Sequence, residues 1–238
     1  SLFRRLDLDF NFYRNKTSDM LMSIPYSYTT GLSSGSGNIG AMTNTGFEIS
    51  ANVQLIATKD INWTFTANVG YNKNKITELF QGRDEYLLPN TGLNLKIGHA
   101  YGEFYSVRNA GVDPRTGEPQ WLDKDGNITK IFNEERDAVF TGKNRYAPWI
   151  GGFGTNFTWK GLSVIADFAW AADKWMMQND DYFIQNANFA TTWNQRVEML
   201  NIWTTPGQVT DIPAYGYDIQ FDDKMIQNAS FLRMKTLT

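Results

Sequence analysis

The chain contains no cysteine and a single histidine, His99, among its 238 residues. Disulfides and thiolate metal sites are excluded, and one imidazole is too few for a histidine-rich metal centre or a histidine relay. Basic character is also missing. The net charge is −3 and the pI about 5.2, which argues against nucleic acid as a partner. No apolar run approaches the ~18 residues that mark a membrane helix, and mean hydropathy is −0.42. Membrane strands stay open, because a strand facing lipid on one side hides its apolar residues at every second position. No apolar h-region follows the residues Ser1 to Arg5, so they do not read as a signal peptide. The chain runs straight into a strand and is expected to be a piece of a longer one.

The dominant pattern is alternation. In residues 44–72, Phe47, Ile49, Ala51, Val53 and Leu55 fall on one side, and Gly46, Glu48, Ser50, Asn52 and Gln54 on the other. After the polar break Thr58-Lys59-Asp60, the alternation resumes with Trp63, Phe65, Ala67, Val69 and Tyr71 against Asn62, Thr64, Thr66, Asn68 and Gly70. Side chains on a strand alternate faces, so this is a hairpin with one apolar and one polar face. Each arm has about the ten residues that a tilted strand needs to cross a bilayer. Trp63 and Tyr71 sit where the two membrane interfaces favour amphipathic rings.

The same period predicts strands over about 3–13, 150–159 and 162–171, a last strand from Ser230, and further strand within 86–108. Lys160-Gly161 makes a minimal turn. Long insertions occupy about 16–43, 73–148 and 173–229, so connections run long, short, long, short, long. In an up-and-down barrel alternate connections lie at opposite rims, which sorts every long loop to one side. The expected fold is therefore all-β: an antiparallel segment of a transmembrane β-barrel with long extracellular loops and short periplasmic turns. Within the insertions, 118–129 reads as a small hairpin around Asp125-Gly126. Residues 190–203 read as a short helix with Trp193, Val197 and Leu200 on one face, ended by Pro206-Gly207.

Chemistry-bearing motifs are sparse. Gly35-Ser36-Gly37-Asn38-Ile39-Gly40 spells a dinucleotide fingerprint, but a loop precedes it and a strand follows, where the fingerprint needs a strand and a helix. Asp123-Lys124-Asp125-Gly126-Asn127 fails as an EF-hand, since Trp121 and Phe132 would fall at the first and last ligand positions. It reads as a turn; a loop calcium elsewhere is left open, and no other cofactor is expected. Asp7, Asp9, Glu48, Asn52, Asn68 and Asp167 are expected to face a barrel lumen. No catalytic set is visible. The loop aromatics Tyr101, Tyr105, Trp121, Tyr146, Trp149, Trp175, Tyr182 and Trp193 are candidates for stacking on a ligand, against the alternative that they pack the loops together.

Five ordered stretches resemble one family. Residues 38–48, N-I-G-A-M-T-N-T-G-F-E, are similar to the N-x-G-x-M-x-N-x-G-x-E signature of the SusC/RagA-like TonB-dependent transporters of Bacteroidetes. Gly111-Val112-Asp113-Pro114-Arg115-Thr116-Gly117, with Trp121, Asp123 and Asp125-Gly126, resembles their G-x-DP-x-TG…W-x-D-x-DG loop. Pro148 with Gly151-Gly152-Phe153 resembles their strand entry, and Trp203-Thr204-Thr205-Pro206 their R-W-T-P-E-N loop. There Ile202 replaces the arginine and Gly207-Gln208 the Glu-Asn pair. Residues 229–238 resemble their S-F-L-R-L-K-N-L-T-L strand.

The resemblance implies a 22-stranded barrel around a plug, a SusD-like surface lipoprotein as partner, TonB engaged through an N-terminal region outside this chain, and import of oligosaccharides or peptides across the outer membrane. Residues 1–238 would then be part of the C-terminal barrel region, with the plug domain and the final strands absent. The residues alone also allow a soluble carbohydrate-binding β-module, which would bury Phe47, Ile49, Trp63 and Phe65 against a second sheet, or a passive porin.

Overall fold

The computed structural model describes residues 5–25, 29, 31, 34–38, 40–88 and 93–238. Six strands form one antiparallel sheet in chain order: β1 (Leu6–Thr17), β2 (Gly40–Ala57), β3 (Ile61–Leu79), β4 (Trp149–Trp159), β5 (Leu162–Ala172) and β6 (Phe231–Leu237). The expected start of the first strand at Phe3 lies outside the described residues. No helix among the described residues is long and apolar enough to cross a membrane.

Register turns the alternation into two surfaces. Phe10, Ile49, Val69, Gly151 and Trp170 pair across five strands as one row. The neighbouring row is Asp9, Ser50, Asn68, Gly152 and Ala169, and it faces the other way. The polar row belongs to a concave face, which encloses a cleft of about 820 Å³. The apolar row belongs to the convex face, where no second sheet covers it among the described residues. Phe10 and Phe12 there are 69% and 63% exposed. A soluble sandwich would bury this face, and among the described residues nothing buries it.

Aromatics mark both ends of the apolar band. Phe47, Tyr71 and Trp149 cluster towards the long loops, with Tyr71 and Trp149 ring centroids 4.5 Å apart. Trp63 meets Phe157 edge-on towards the short turns. Its indole N–H donates to Thr155 Oγ1 at 2.8 Å, which satisfies the donor inside the apolar band. From Trp63 to Tyr71 the strand climbs roughly 27 Å. Tilted by 35–45°, that spans about 19–22 Å, most of the ~25 Å apolar height of an outer-membrane barrel.

The two short turns lie side by side, since Lys160 N donates to Asp60 O (3.3 Å). Lys160 and Gly161 take positive φ (45° and 92°), the twist a two-residue hairpin requires. A bulge at Gln54/Ile56 breaks the expected alternation, so Ile56, and not Leu55, pairs with Trp63.

Several expected boundaries shift for one reason: polar strand residues continue where loop packing takes over from the band. β3 runs on to Leu79 because Ile76 and Leu79 are buried against Tyr86 and Leu95. The link after β1 contains a hairpin of Leu21–Pro25 with Ser34–Asn38, so the glycine-rich motif lies largely in a strand and not in a loop. The expected helix over 190–203 is absent. That span holds only a 3-10 turn, Val197–Asn201, with Val197 72% and Leu200 84% exposed. Val197 and Leu200 meet no packing surface, and a short helix is not stable without one. The hairpin near Asp125-Gly126 is present, pairing Pro119–Leu122 with Ile128–Thr129.

Gly151 and Gly154 differ in what an added methyl would meet. At Gly151 it would strike the Asn68 carbonyl and lie 2.6 Å from the Trp170 ring. At Gly154 the nearest atom is the movable carboxylate oxygen of Asp167. Gly151→Ala is expected to destabilise the full-length protein by about 1–3 kcal/mol, as overpacking does, and Gly154→Ala by clearly less. Denaturant unfolding of both variants checks the order; equal costs would mean that Trp170 does not seal the Gly151 face.

Candidate functional site

The concave face carries carboxylates and amides on rigid strands. Ser50 Oγ donates to Asp9 Oδ2 at 3.5 Å. Asp7 is opposite Asn52, and Asn11 opposite Glu48. Asp167 reaches over Gly154. All six residues expected to face a lumen, Asp7, Asp9, Glu48, Asn52, Asn68 and Asp167, share this surface. Small side chains at Gly70, Gly152, Gly154, Ala169 and Ala171 keep the middle of it smooth.

Towards the long loops the face ends in an amide ladder. Tyr13 Oη donates to Asn72 Oδ1 (3.2 Å), and Asn72 and Asn74 both donate to Asn44 Oδ1 (3.3 and 2.9 Å). Asn74 Oδ1 in turn accepts from Tyr101 N (2.8 Å), and Asn144 Nδ2 donates to Tyr101 O (3.3 Å). A cleft of about 680 Å³ opens here, lined by these asparagines, His99, Tyr101 and Tyr146. Tyr101 and Tyr146 stack at 6.1 Å, and Tyr146 is 57% exposed. His99 is locally paired, with Nδ1 3.1 Å from Glu103 Oε2 and its ring stacked on Phe140. The ladder was not singled out from sequence, although continuing the alternation of β3 past Asn72 to Asn74 would have placed it. Among the described residues no group of three His, Cys, Asp or Glu side chains is placed to hold a metal ion.

Above the rim, the insertions after β3 and β5 interlock. Asp222 is buried and accepts from Asn109 Nδ2 (2.7 Å), Trp121 Nε1 (2.8 Å) and Lys224 N (3.0 Å). Asp223 Oδ1 accepts from Asn109 N (2.7 Å). A second joint unites two sequence motifs. Trp203 Nε1 donates to Pro114 O (3.0 Å), and its ring occupies the space a side chain at Gly117 would fill. Gly117 has φ +76°, so glycine is required there twice over. The Asp113 turn is held from below by Lys130, whose hydrogen bond brings the Asp113 carboxyl down to about 2. Burial pushes the Asp222 carboxyl up, against the opposing effect of its hydrogen bonds.

The candidate aromatics divide by environment. Trp121 is 4% exposed, in a core with Val107 and Ala138, and offers no ring face. Trp149 belongs to the convex aromatic cluster and not to a loop. Tyr105 packs on Phe140, and Tyr182 stacks on Phe221 at 4.6 Å. Trp175 receives Lys143 over its ring at 5.0 Å. Trp193 leans on Phe183 and stays half exposed. Tyr101 is half-buried at the rim.

Linkage gives the interlock a pH signature. A raised folded pKa means that the folded form binds more protons than the unfolded form, so Asp222 makes stability fall as pH rises above the ordinary carboxylate value. The depressed carboxyls Asp113, Glu118, Asp123 and Asp137 act with the opposite sign until their unfolded forms are ionised, which is complete only above about pH 5.5. Amide hydrogen exchange of 103–122 in the full-length protein is therefore expected to accelerate, beyond its intrinsic pH dependence, above about pH 5.5. Asp222→Asn should flatten that slope. A slope retained in the variant would assign it elsewhere.

No family model matches the chain. It is 25% identical over 257 residues to TonB-dependent receptor P3 of Formosa agariphila, covering 98% of this chain and 25% of that protein. It is 26% identical over 242 residues to TonB-dependent receptor SusC of Bacteroides thetaiotaomicron, covering 95% and 23%. The structure of the RagAB peptide transporter superposes with a TM-score of 0.90 and 38% identity over 98% of this chain and 26% of that one. The chain thus spans about a quarter of the length of the curated relatives it matches. Over that quarter the chain is similar to the SusC/RagA-like TonB-dependent receptors, which are outer-membrane β-barrel proteins, and its antiparallel sheet matches the RagAB structure in fold.

Proposed function

We propose that this chain forms part of the wall and outer rim of an active outer-membrane importer for oligosaccharides or peptides. The observation that carries the reading is the register-locked sheet, with a lipid-compatible convex face, a polar concave face and every long loop at one rim. Asp7, Asp9, Glu48, Asn52, Asn68 and Asp167 line the passage. The amide ladder and Tyr146 meet a ligand as it enters, offering donors, acceptors and a ring face. The interlocked loops present a firm surface to a SusD-like lipoprotein. TonB supplies energy through a part of the receptor outside these residues. The solved relative is the RagAB peptide transporter, which supports the peptide part of the ligand class.

Two measurements on the full-length receptor test this. Ile49→Arg places a charge on the convex face near mid-band and should cost roughly 2–4 kcal/mol of folding free energy in lipid vesicles. Ser50→Arg, facing Asp9 on the concave side, should cost much less. Ile56→Arg, near the short-turn end, should cost roughly 0–1 kcal/mol as the membrane interface is reached. Equal costs for Ile49→Arg and Ser50→Arg would overturn the assignment of faces. Separately, trimming 173–229 should reduce both lipoprotein co-purification and nutrient uptake. If both persist unchanged, the loops are not the docking surface.

A further inference from the structure

We propose that Arg14, Lys16, Lys73 and Lys75 form a binding site for the phosphate groups of outer-leaflet lipid headgroups. Register places the four cations together. Arg14 pairs with Thr45 and Thr45 with Lys73; the next row is Lys16, Thr43 and Lys75. The result is a two-by-two block of cations around two threonines. It lies on the convex face, because these positions continue the series of Phe10, Phe12, Phe47 and Tyr71. The row immediately below, Phe12, Phe47, Tyr71 and Trp149, is the aromatic cluster at the long-loop end of the apolar band.

Height and charge then specify the ligand. Aromatic clusters mark the membrane interface, and two further residues of strand rise roughly 7 Å before tilt. That is the level of the headgroups, on the side where the long loops emerge. All four cations are exposed, and among the described residues none of them is in an ion pair with a carboxylate. Other loop cations, such as Lys96, Lys130, Arg196 and Lys224, are paired with Asp or Glu. A hollow of about 400 Å³ lies on the block, lined by Arg14, Lys73, Lys75, Thr43 and Thr45. Threonine hydroxyls and an arginine fork suit phosphate oxygens. No carboxylate lines this hollow, so nothing in it opposes an anion. Unpaired like charges repel one another, and an anionic headgroup relieves that repulsion.

The test uses the full-length receptor and native mass spectrometry of retained lipid, with phosphorylated lipid A and its dephosphorylated form as probes. Wild type is expected to retain the phosphorylated form at least ten-fold better, with the preference falling as salt is raised. The triple variant Arg14→Gln, Lys73→Gln, Lys75→Gln should bring the two forms near parity. Its sites are exposed strand positions, so the fold is retained, which the unchanged unfolding midpoint in neutral phosphatidylcholine vesicles verifies. Lys59→Gln with Lys160→Gln, at the short-turn rim, should leave the preference intact. A triple variant with wild-type preference, or a wild type that does not discriminate, overturns the proposal. The inference rests on the membrane reading, whose failure looks different: neither lipid would be retained, and the receptor would stay soluble without detergent.

Discussion

Backbone hydrogen bonding in a medium without water governs this molecule. Each N–H and C=O in the apolar band must find its partner on a neighbouring strand. The five consecutive pairings from β1 to β6 supply those partners with only local bulges. Once the ladder is fixed, side-chain direction is fixed with it, and a two-faced wall follows without a hydrophobic core of its own. The outer edges of β1 and β6 still carry unpaired groups in this sheet. In lipid such edges need neighbouring strands, as exposed edges elsewhere do.

The buried clusters accordingly lie above the band and not within it. Ile76, Leu79, Tyr86 and Leu95 form one; Val107, Trp121 and Ala138 form the other. Strands of 18 and 19 residues are longer than a bilayer crossing requires, and their upper halves act as pillars on which these clusters stand. In water, the loops fold by ordinary rules: apolar burial, a buried carboxylate met by three donors, a tryptophan seated on a glycine. The same chain therefore uses two solvents in sequence. The amide ladder of Asn44, Asn72 and Asn74 sits at their junction, where strand geometry still holds side chains in place and water is already available.

Strand pairing, face assignment and the sorting of loops were readable from residues 44–72 and 150–171, because a period of two admits one solution once a face is apolar. The bulge at Gln54/Ile56 was not, since an extra residue leaves the composition of both faces intact. The helix expected over 190–203 failed because only Trp193 of its apolar face finds a partner, Phe183, while Val197 and Leu200 stay exposed. For Trp121 the sequence left ligand stacking and loop packing open, and its tertiary contact with Asp222, about a hundred residues away, decides for packing. Trp149 looked like a loop residue because it stands beside Pro148, yet strand pairing with Tyr71 carries it onto the convex face. The misses share a cause: local pattern reports a side chain's direction and says little about what arrives from distant sequence to meet it.

Charge placement explains why the register does not slip. On β1 to β5 the convex rows between the two aromatic clusters contain no Asp, Glu, Lys or Arg. The carboxylates Asp7, Asp9, Glu48 and Asp167 stand one position off, on the concave side. A slip of a single residue in β1 would exchange Leu8 and Phe10 for Asp7 and Asp9 on the face towards lipid. The four cations of β1 and β3 impose a second limit. They sit just above the aromatic row, so sinking β1 and β3 together by two residues towards the short turns would carry Arg14 and Lys73 to the aromatic level. Apolar side chains alone would tolerate the two-residue displacement, since Leu, Phe and Val are nearly interchangeable in hydrocarbon. The charges remove both, one acting across the sheet and the other along it, and a single depth and a single register remain.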